Sequence, residues 1–408
     1  MKNWESVKLG DLYEVHNGLS KGGKFFGSGY PFLTFSTVFN NYFLPEELTD
    51  FVQSTEKERE SYSILRGDVF VTRTSETSDE LGMSCVALND YPNATYNGFT
   101  KRMRPITDRV LPEYIGYYMR MPSFRGEFQA FSTMTTRASL KNEDLLSLEV
   151  KLPEIGEQKK TAGILSAYDA LILNNQKQIK LLEEAAWRLY KEWFVNLGFP
   201  GHEETEIHDG LPEGWTISYI NDLCVRINAG GTPSRSKSVY WSNPSVAWYK
   251  TGELSDCWLL DSEEKISQEG LENSSAKIFP KNTILMAIYA SPTLGHLGVL
   301  RSEAACNQAA LCLLANEELV SWQWLYYKLF ELRDEFNAIA KGAGQQNISA
   351  DAVKMKEVIV PPKDLVGTFT RYVEPIFCRR LKLQEQNLYL SEARDRLLPK
   401  LMSGEIEV

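Results

Sequence analysis

Histidine and cysteine are scarce: four and six, respectively, in 408 residues. The histidines (His16, His202, His208, His296) are dispersed. The cysteines (Cys85, Cys224, Cys257, Cys306, Cys312, Cys378) include no Cys-x-x-Cys pair. Neither zinc spacing nor a disulfide framework emerges, so free thiols in a reducing compartment are expected. Long hydrophobic runs are also missing. The chain is 43% hydrophobic, yet no stretch approaches the roughly 18 apolar residues of a membrane span, and no basic-then-apolar segment follows Met1. A soluble, cytoplasmic chain without a membrane partner is therefore expected. A basic excess is absent as well, with 44 Lys+Arg against 54 Asp+Glu and a formal charge of −10. That balance argues against a protein that coats nucleic acid alone, because phosphate neutralisation needs surplus cations. It leaves room for one that reads DNA inside a larger assembly.

Catalytic constellations are missing in turn. Gly18 to Lys24 fits Gly-x4-Gly-Lys, but Phe25 stands where a Ser or Thr must hold magnesium, and the loop runs into Phe26-Gly27-Ser28-Gly29 rather than a helix. Glu263-Glu264-Lys265 imitates a nuclease Glu-x-Lys but has only Asp256 and Asp261 nearby, and reads as a charged hairpin. No Ser/His/Asp order appears. Asn243-Pro244-Ser245 is the closest approach to an amino-methyltransferase loop and fails it. No active site is expected, and no metal or cofactor on this chain.

What is present is a heptad seam. Leu165, Tyr168, Ile172, Asn175, Ile179, Leu182, Ala186, Leu189 and Trp193 recur at steps of three and four, the mark of a long helix packed lengthwise on another. It follows Pro153 and stops before Gly198-Phe199-Pro200; from Glu157 to Trp193 it would span about 55 Å. A partner lies in the same chain: Glu184-Ala185 and Arg188-Leu189 return as Glu392-Ala393 and Arg396-Leu397, an offset of 208 residues between Glu184 and Glu392. Shifted by that offset, the seam becomes Val373, Ile376, Arg380, Leu383, Asn387, Leu390, Arg394, Leu397 and Leu401. Pro375 and Pro399 fall inside this second helix and are expected to kink or end it.

The halves also match outside the helices, as repeats do. Each opens with a Trp (Trp4; Trp215) and a glycine loop, Asn17 to Lys24 in one and Asn228 to Arg235 in the other. Either loop is a plain turn or a cradle whose amides and side chains Lys21, Lys24, Thr232, Ser234 and Arg235 meet phosphate. Strand-like runs follow: Tyr30 to Phe35 and Val246 to Lys250, then Gly67 to Ser75 and Lys281 to Ser291, each of the latter with a glycine hairpin beyond (Gly82; Gly295 and Gly298). Their ends could offer Arg73, Thr74, Ser75, Lys250, Tyr289 and Ser291 to DNA, or be solvated ends of core strands. A polar pre-helical strand carries Lys101 and Arg102 in one half and Cys306 to Leu311 in the other, and an aromatic core helix comes next (Glu113 to Met119; Trp322 to Lys328). Loops with Arg137, and with Gln345, Gln346 and Asn347, close the halves, bearing side chains suited to bidentate base contacts. The expected layout is α+β: two similar mixed α/β domains at 1–150 and 215–360, long helices at 151–196 and 361–408, and an exposed acidic linker at 197–214.

The whole chain resembles the specificity subunit of a type I restriction-modification system. The resemblance rests on Leu152-Pro153 with Glu157-Gln158 and Asp169, on Leu211-Pro212-Glu213-Gly214-Trp215, on Gly230-Gly231-Thr232-Pro233-Ser234 and on Asn307-Gln308. It rests most specifically on the terminal string Leu397-Leu398-Pro399-Lys400-Leu401-Met402-Ser403-Gly404-Glu405-Ile406. It implies two target recognition domains, each reading half of a bipartite site in double-stranded DNA, and an antiparallel coiled coil of both long helices, with Leu165, Ile172, Ile179, Leu182, Leu189, Leu383, Leu390 and Leu397 in its seam, serving as a ruler. It further implies modification (methyltransferase) subunits that carry S-adenosylmethionine and methylate adenine, and restriction subunits that use ATP and Mg and cut DNA. The chain departs from the family pattern at Glu154, where a second proline is usual, and at Leu365-Val366, where Glu157-Gln158 has no counterpart. Two other readings are a coiled-coil scaffold with protein-binding domains and a separated recognition half of a fused restriction-methylation enzyme.

Overall fold

The computed structural model describes residues 4–75, 80–130, 138–289, 292–340 and 347–408. Two compact units divide the chain, Met1–Leu173 with Leu388–Val408, and Asn174–Asn387. Each long helix therefore contributes to both.

In the first unit, an antiparallel sheet runs in the order Tyr13–Asn17, Thr100–Pro105, Val69–Thr72, Ser84–Val86. A smaller piece sets Phe26–Leu33 between Phe51–Val52 and the parallel Thr95–Tyr96. Glu5–Lys8 pairs with Glu149–Leu152, the strand that leads into the central helix. The second unit repeats this plan. Cys224–Ala229, Ala310–Ala315, Ile284–Ala287 and Leu297–Leu300 form the antiparallel part of its larger sheet, Cys257–Leu259 adds in parallel, and Thr216–Tyr219 pairs with Glu357–Val360 ahead of the terminal helix. Val246–Tyr249 sits between Glu264–Ile266 and the parallel Ala305–Cys306. The inner strands are apolar on both faces, as covered strands must be: Val69, Phe70 and Val71 are fully buried, as are Ile284 and Met286.

The first core gathers Tyr114, Tyr117, Phe124 and Phe128 with Leu398, Leu401 and Met402, so the end of the chain completes the unit in which it began. The second gathers Tyr190, Trp193, Phe194, Trp324, Tyr327, Phe369 and Phe377. The aromatic helices Pro112–Tyr118 and Trp322–Glu331 are core, as their spacing indicates.

The central helix runs Ile155–Tyr190 and ends in a π-helical turn, Lys191–Val195, that lets the adjacent Trp193 and Phe194 both face the core. No seam residue of either helix is exposed, whereas the off-seam Ile164, Leu171, Leu173 and Leu181 are. Within each unit the helices meet in antiparallel sense. The first unit pairs Asp169 with Arg394 at 2.5 Å, and Lys160 donates to the Val408 carbonyl at 3.4 Å. The second pairs Asn175 with Asn387 at 3.0 Å and Glu183 with Arg380 at 3.1 Å.

The structure adds detail to three expectations. The terminal helix is continuous over Lys363–Met402 through both prolines. Both rings point to solvent, so the carbonyl left without an N–H one turn back can be hydrated while the buried face holds the helix. The run from Tyr30 to Phe35 ends as a strand at Leu33, because Thr34 caps a short helix, Phe35–Asn40, accepting from the Thr37 amide at 3.3 Å. The linker contains a two-residue hairpin, Ile207–His208 against Leu211–Pro212, with Asp209 and Gly210 at φ 50° and 82°, the backbone that Asp-Gly favours.

Candidate nucleic-acid interface

One end of the larger sheet is assembled in the same way in both units. In the first, the Gly18 amide donates to the Thr100 carbonyl at 3.2 Å and Leu19 to Tyr96 at 2.9 Å. In the second, Gly230 donates to Ala310 at 3.1 Å and Gly231 to Cys306 at 2.9 Å. The strands expected as continuous from Tyr96 to Arg102 and from Cys306 to Leu311 are each interrupted by a tight turn, Asn97 to Phe99 and Asn307 to Ala309, and the glycine loop lies on it. A Cβ on Gly18 would collide with the Asn97 carbonyl, and one on Gly230 with the carbonyls of Cys306 and Asn307. These two glycines are required by that close approach of backbone to backbone, which supports the turn reading of the loops.

The same turn receives the strand end. Arg73 donates its amide to Phe99, as Ile288 does to Ala309; Leu140 then donates to Arg73 at 3.0 Å, as Ile348 does to Ile288 at 2.9 Å. Thr74–Ser75 pairs with Ala138–Ser139, and Tyr289 bridges to Asn347. Four loops thus converge in each unit. Arg73 (Nη1 3.2 Å from Asn17 Oδ1), Thr74, Ser75 and the half-exposed Phe99 stand there in the first unit. Thr232, donating to Gln308, stands there in the second with Tyr289, 40% exposed, and Asn347. Arg137, Ser291, Gln345 and Gln346 lie outside the described residues.

Several sequence candidates are engaged elsewhere. Lys101 and Arg102, offered from sequence as DNA contacts, are buried: Lys101 donates to Asn142, and Arg102 to the Ser63 carbonyl at 2.8 Å while lying over the Tyr96 ring. Burial first, then the charge of Arg73, pulls the Lys101 ammonium below the usual lysine range. Lys21 is tied to the Gln53 carbonyl at 2.6 Å and Glu58 at 2.8 Å. Arg235 grips Glu264 with both terminal nitrogens, at 2.5 and 3.1 Å, and stacks 3.6 Å from the Trp241 ring centre. Lys250 reaches Glu263 at 2.8 Å and Glu264 at 3.2 Å. The Arg235 guanidinium, foremost, holds the Glu264 carboxyl below the usual range. Lys24 is exposed beside the Phe25 ring, and Ser234 touches Ser236 at 2.9 Å.

Phe99 and the counter-ion Glu58 were not singled out from sequence, and Asn17 and Glu264 were noticed only as a loop start and a charged hairpin, because nothing local in a strand or hairpin says which distant loop it will meet. Gln158, one of the residues that carry the family resemblance, is fully buried; it donates to the carbonyls of Arg109 and Pro153 and accepts from the Leu111 amide, at 2.8–2.9 Å. Val366, buried in the second core, takes the matching place 208 residues on. Among the described residues, no group of three or more His, Cys, Asp or Glu is placed to hold a metal, and no helix is long and apolar enough to cross a membrane.

The family model of the type I restriction modification DNA specificity domain matches residues 1–184 and 212–365. The MjaIX specificity subunit of Methanocaldococcus jannaschii is 25% identical over 430 residues, covering 100% of this chain and 94% of that one. The HindI specificity subunit of Haemophilus influenzae is 22% identical over 477 residues, covering 100% of both. A crystal structure of a type I restriction-modification system S subunit from M. genitalium shares the fold, with a TM-score of 0.55 at 14% identity over 98% of this chain and 96% of that one. With both of its similar halves matched by that domain, the chain belongs to the type I restriction-modification DNA specificity family and is a specificity subunit rather than an enzyme.

Proposed function

We propose that each unit reads one half of a bipartite site in double-stranded DNA through its four convergent loops, and that the paired long helices act as an antiparallel coiled coil that sets the spacer between half-sites. The observation that carries this reading is the repetition, hydrogen bond for hydrogen bond, of one loop-bearing sheet end on two units whose loop side chains differ. A common frame with private side chains is what reading two different half-sites calls for. The subunit works in the cytoplasm as a non-catalytic frame. Modification subunits carrying S-adenosylmethionine, and restriction subunits using ATP and Mg, dock on it and supply the chemistry. The exposed off-seam Ile164 and Leu171 on the central helix suit such docking.

Gel-shift of the assembled complex against DNAs of graded spacer length tests the reading. Inserting one heptad into both helices adds about 10.5 Å, so the optimum should move by about 3 bp with the half-sites unchanged. An unmoved optimum removes the ruler. The acidic isolated subunit should bind weakly, and the complex tightly and with strong salt dependence; nanomolar specific binding by the lone chain contradicts the division of labour.

A further inference from the structure

We infer that Asn175, Asn387 and the ion pairs Glu183–Arg380 and Asp169–Arg394 form a polar register code that selects one alignment of the two long helices. This deepens the ruler reading, since a ruler is only as exact as its register. The apolar seam cannot select alone: Leu383, Leu390 and Leu397 recur every seven residues, so a one-heptad slide returns leucine to leucine. The polar residues between them, Arg380, Asn387 and Arg394, also recur every seven, but their partners differ. Arg380 meets Glu183 at 3.1 Å and Asn387 meets Asn175 at 3.0 Å within the second unit; Arg394 meets Asp169 at 2.5 Å within the first.

A slide in one direction would set Arg394 against Asn175 and Asn387 against Glu183. A slide in the other would set Arg380 against Asn175 and Asn387 against Asp169. Each leaves charges without their counter-ions, Arg380 at a buried position and Glu183, Asp169 and Arg394 at half-buried ones, which is costlier than mismatching leucines. Arg380 is 2% exposed and Asn175 7%. Arg380 also donates to the Asp256 carbonyl at 2.9 Å, and Asp169 accepts from the buried Tyr117 hydroxyl, so both are anchored to their own units.

The test exchanges rungs at constant composition in the full-length chain. Arg380→Asn with Asn387→Arg should lower Tm by about 5 °C or more, and adding Asn175→Glu with Glu183→Asn, which rebuilds matched rungs in the new order, should recover at least half of the loss. A fourfold variant that melts no higher than the twofold one overturns the code. Asn175→Leu with Asn387→Leu leaves both ion pairs in place, so Tm should hold or rise while the assembled complex keeps a single spacer optimum at the parental length. Acceptance of spacers about 3 bp to either side by this variant would show that the ion pairs do not select the register, and also overturns the code. Failure of the ruler itself is recognised separately, as an optimum that ignores the inserted heptad even though the melting rescue succeeds.

Discussion

Arg235 shows how a residue that looks like a DNA contact can be held in check by its surroundings. Its two-pronged grip on Glu264 occupies the same donors that would face a phosphate or a guanine, and Lys250 shares the same carboxylate. Glu264→Gln should therefore strengthen non-specific DNA retention and steepen the log–log salt slope by about one; an unchanged slope, by filter binding over a salt series, would show that neither cation reaches DNA. Lys101 offers the opposite case. It is buried under the sheet end, so Lys101→Met should leave half-site selection intact and hold or raise Tm. The sign with pH is fixed. Its folded value lies below the ordinary 10.5, so in the interval between the two the unfolded chain binds the extra proton. The contribution of Lys101 to stability should therefore rise with pH there, so the parent should gain on the variant as pH climbs through that interval. Thermal melts across the alkaline range check both. The two units diverge at this layer: Arg102 over Tyr96 in the first corresponds to the buried Cys312 beside Cys306 in the second, sulfurs 3.1 Å apart.

At the scale of elements, the terminal helix is held together by one face. Val373, Phe377 and Arg380 are buried while Pro375 between them is exposed, so tertiary packing, not propensity, carries the helix through a residue that lacks an N–H. Pro375→Ala restores that donor at a site with space for it and should stabilise the second unit by about 1–3 kcal/mol, seen as a higher denaturation midpoint. The paired sheet ends obey a different constraint. There the strands of each unit turn on Asn97 or Asn307, and the glycine loop rests on the turn with too little room for a Cβ.

For the whole molecule, the consequential fact is that the last twenty-one residues belong to the first unit. Leu398, Leu401 and Met402 sit in its core with Val7 and Leu9. Leu401→Ala should cost that unit about 2–5 kcal/mol, lowering the melting of the Met1–Leu173 half while the other keeps its transition. Calorimetry resolves this, and a uniform shift of both transitions would contradict it.

The amino-acid pattern alone established the duplication, the heptad seam, the aromatic core helices and the lack of catalytic or metal spacing, because these depend on periodicity and on residue types a few positions apart. It also carried the family resemblance, through Leu211 to Trp215 and the terminal string from Leu397. It could not say that Lys101 and Arg102 turn inward, that Gln158 closes a helix start, that Glu264 claims Arg235, or that Pro375 is tolerated. Each of these depends on contacts between residues tens to hundreds of positions apart, where packing and desolvation decide which polar groups face water and which must find a partner inside.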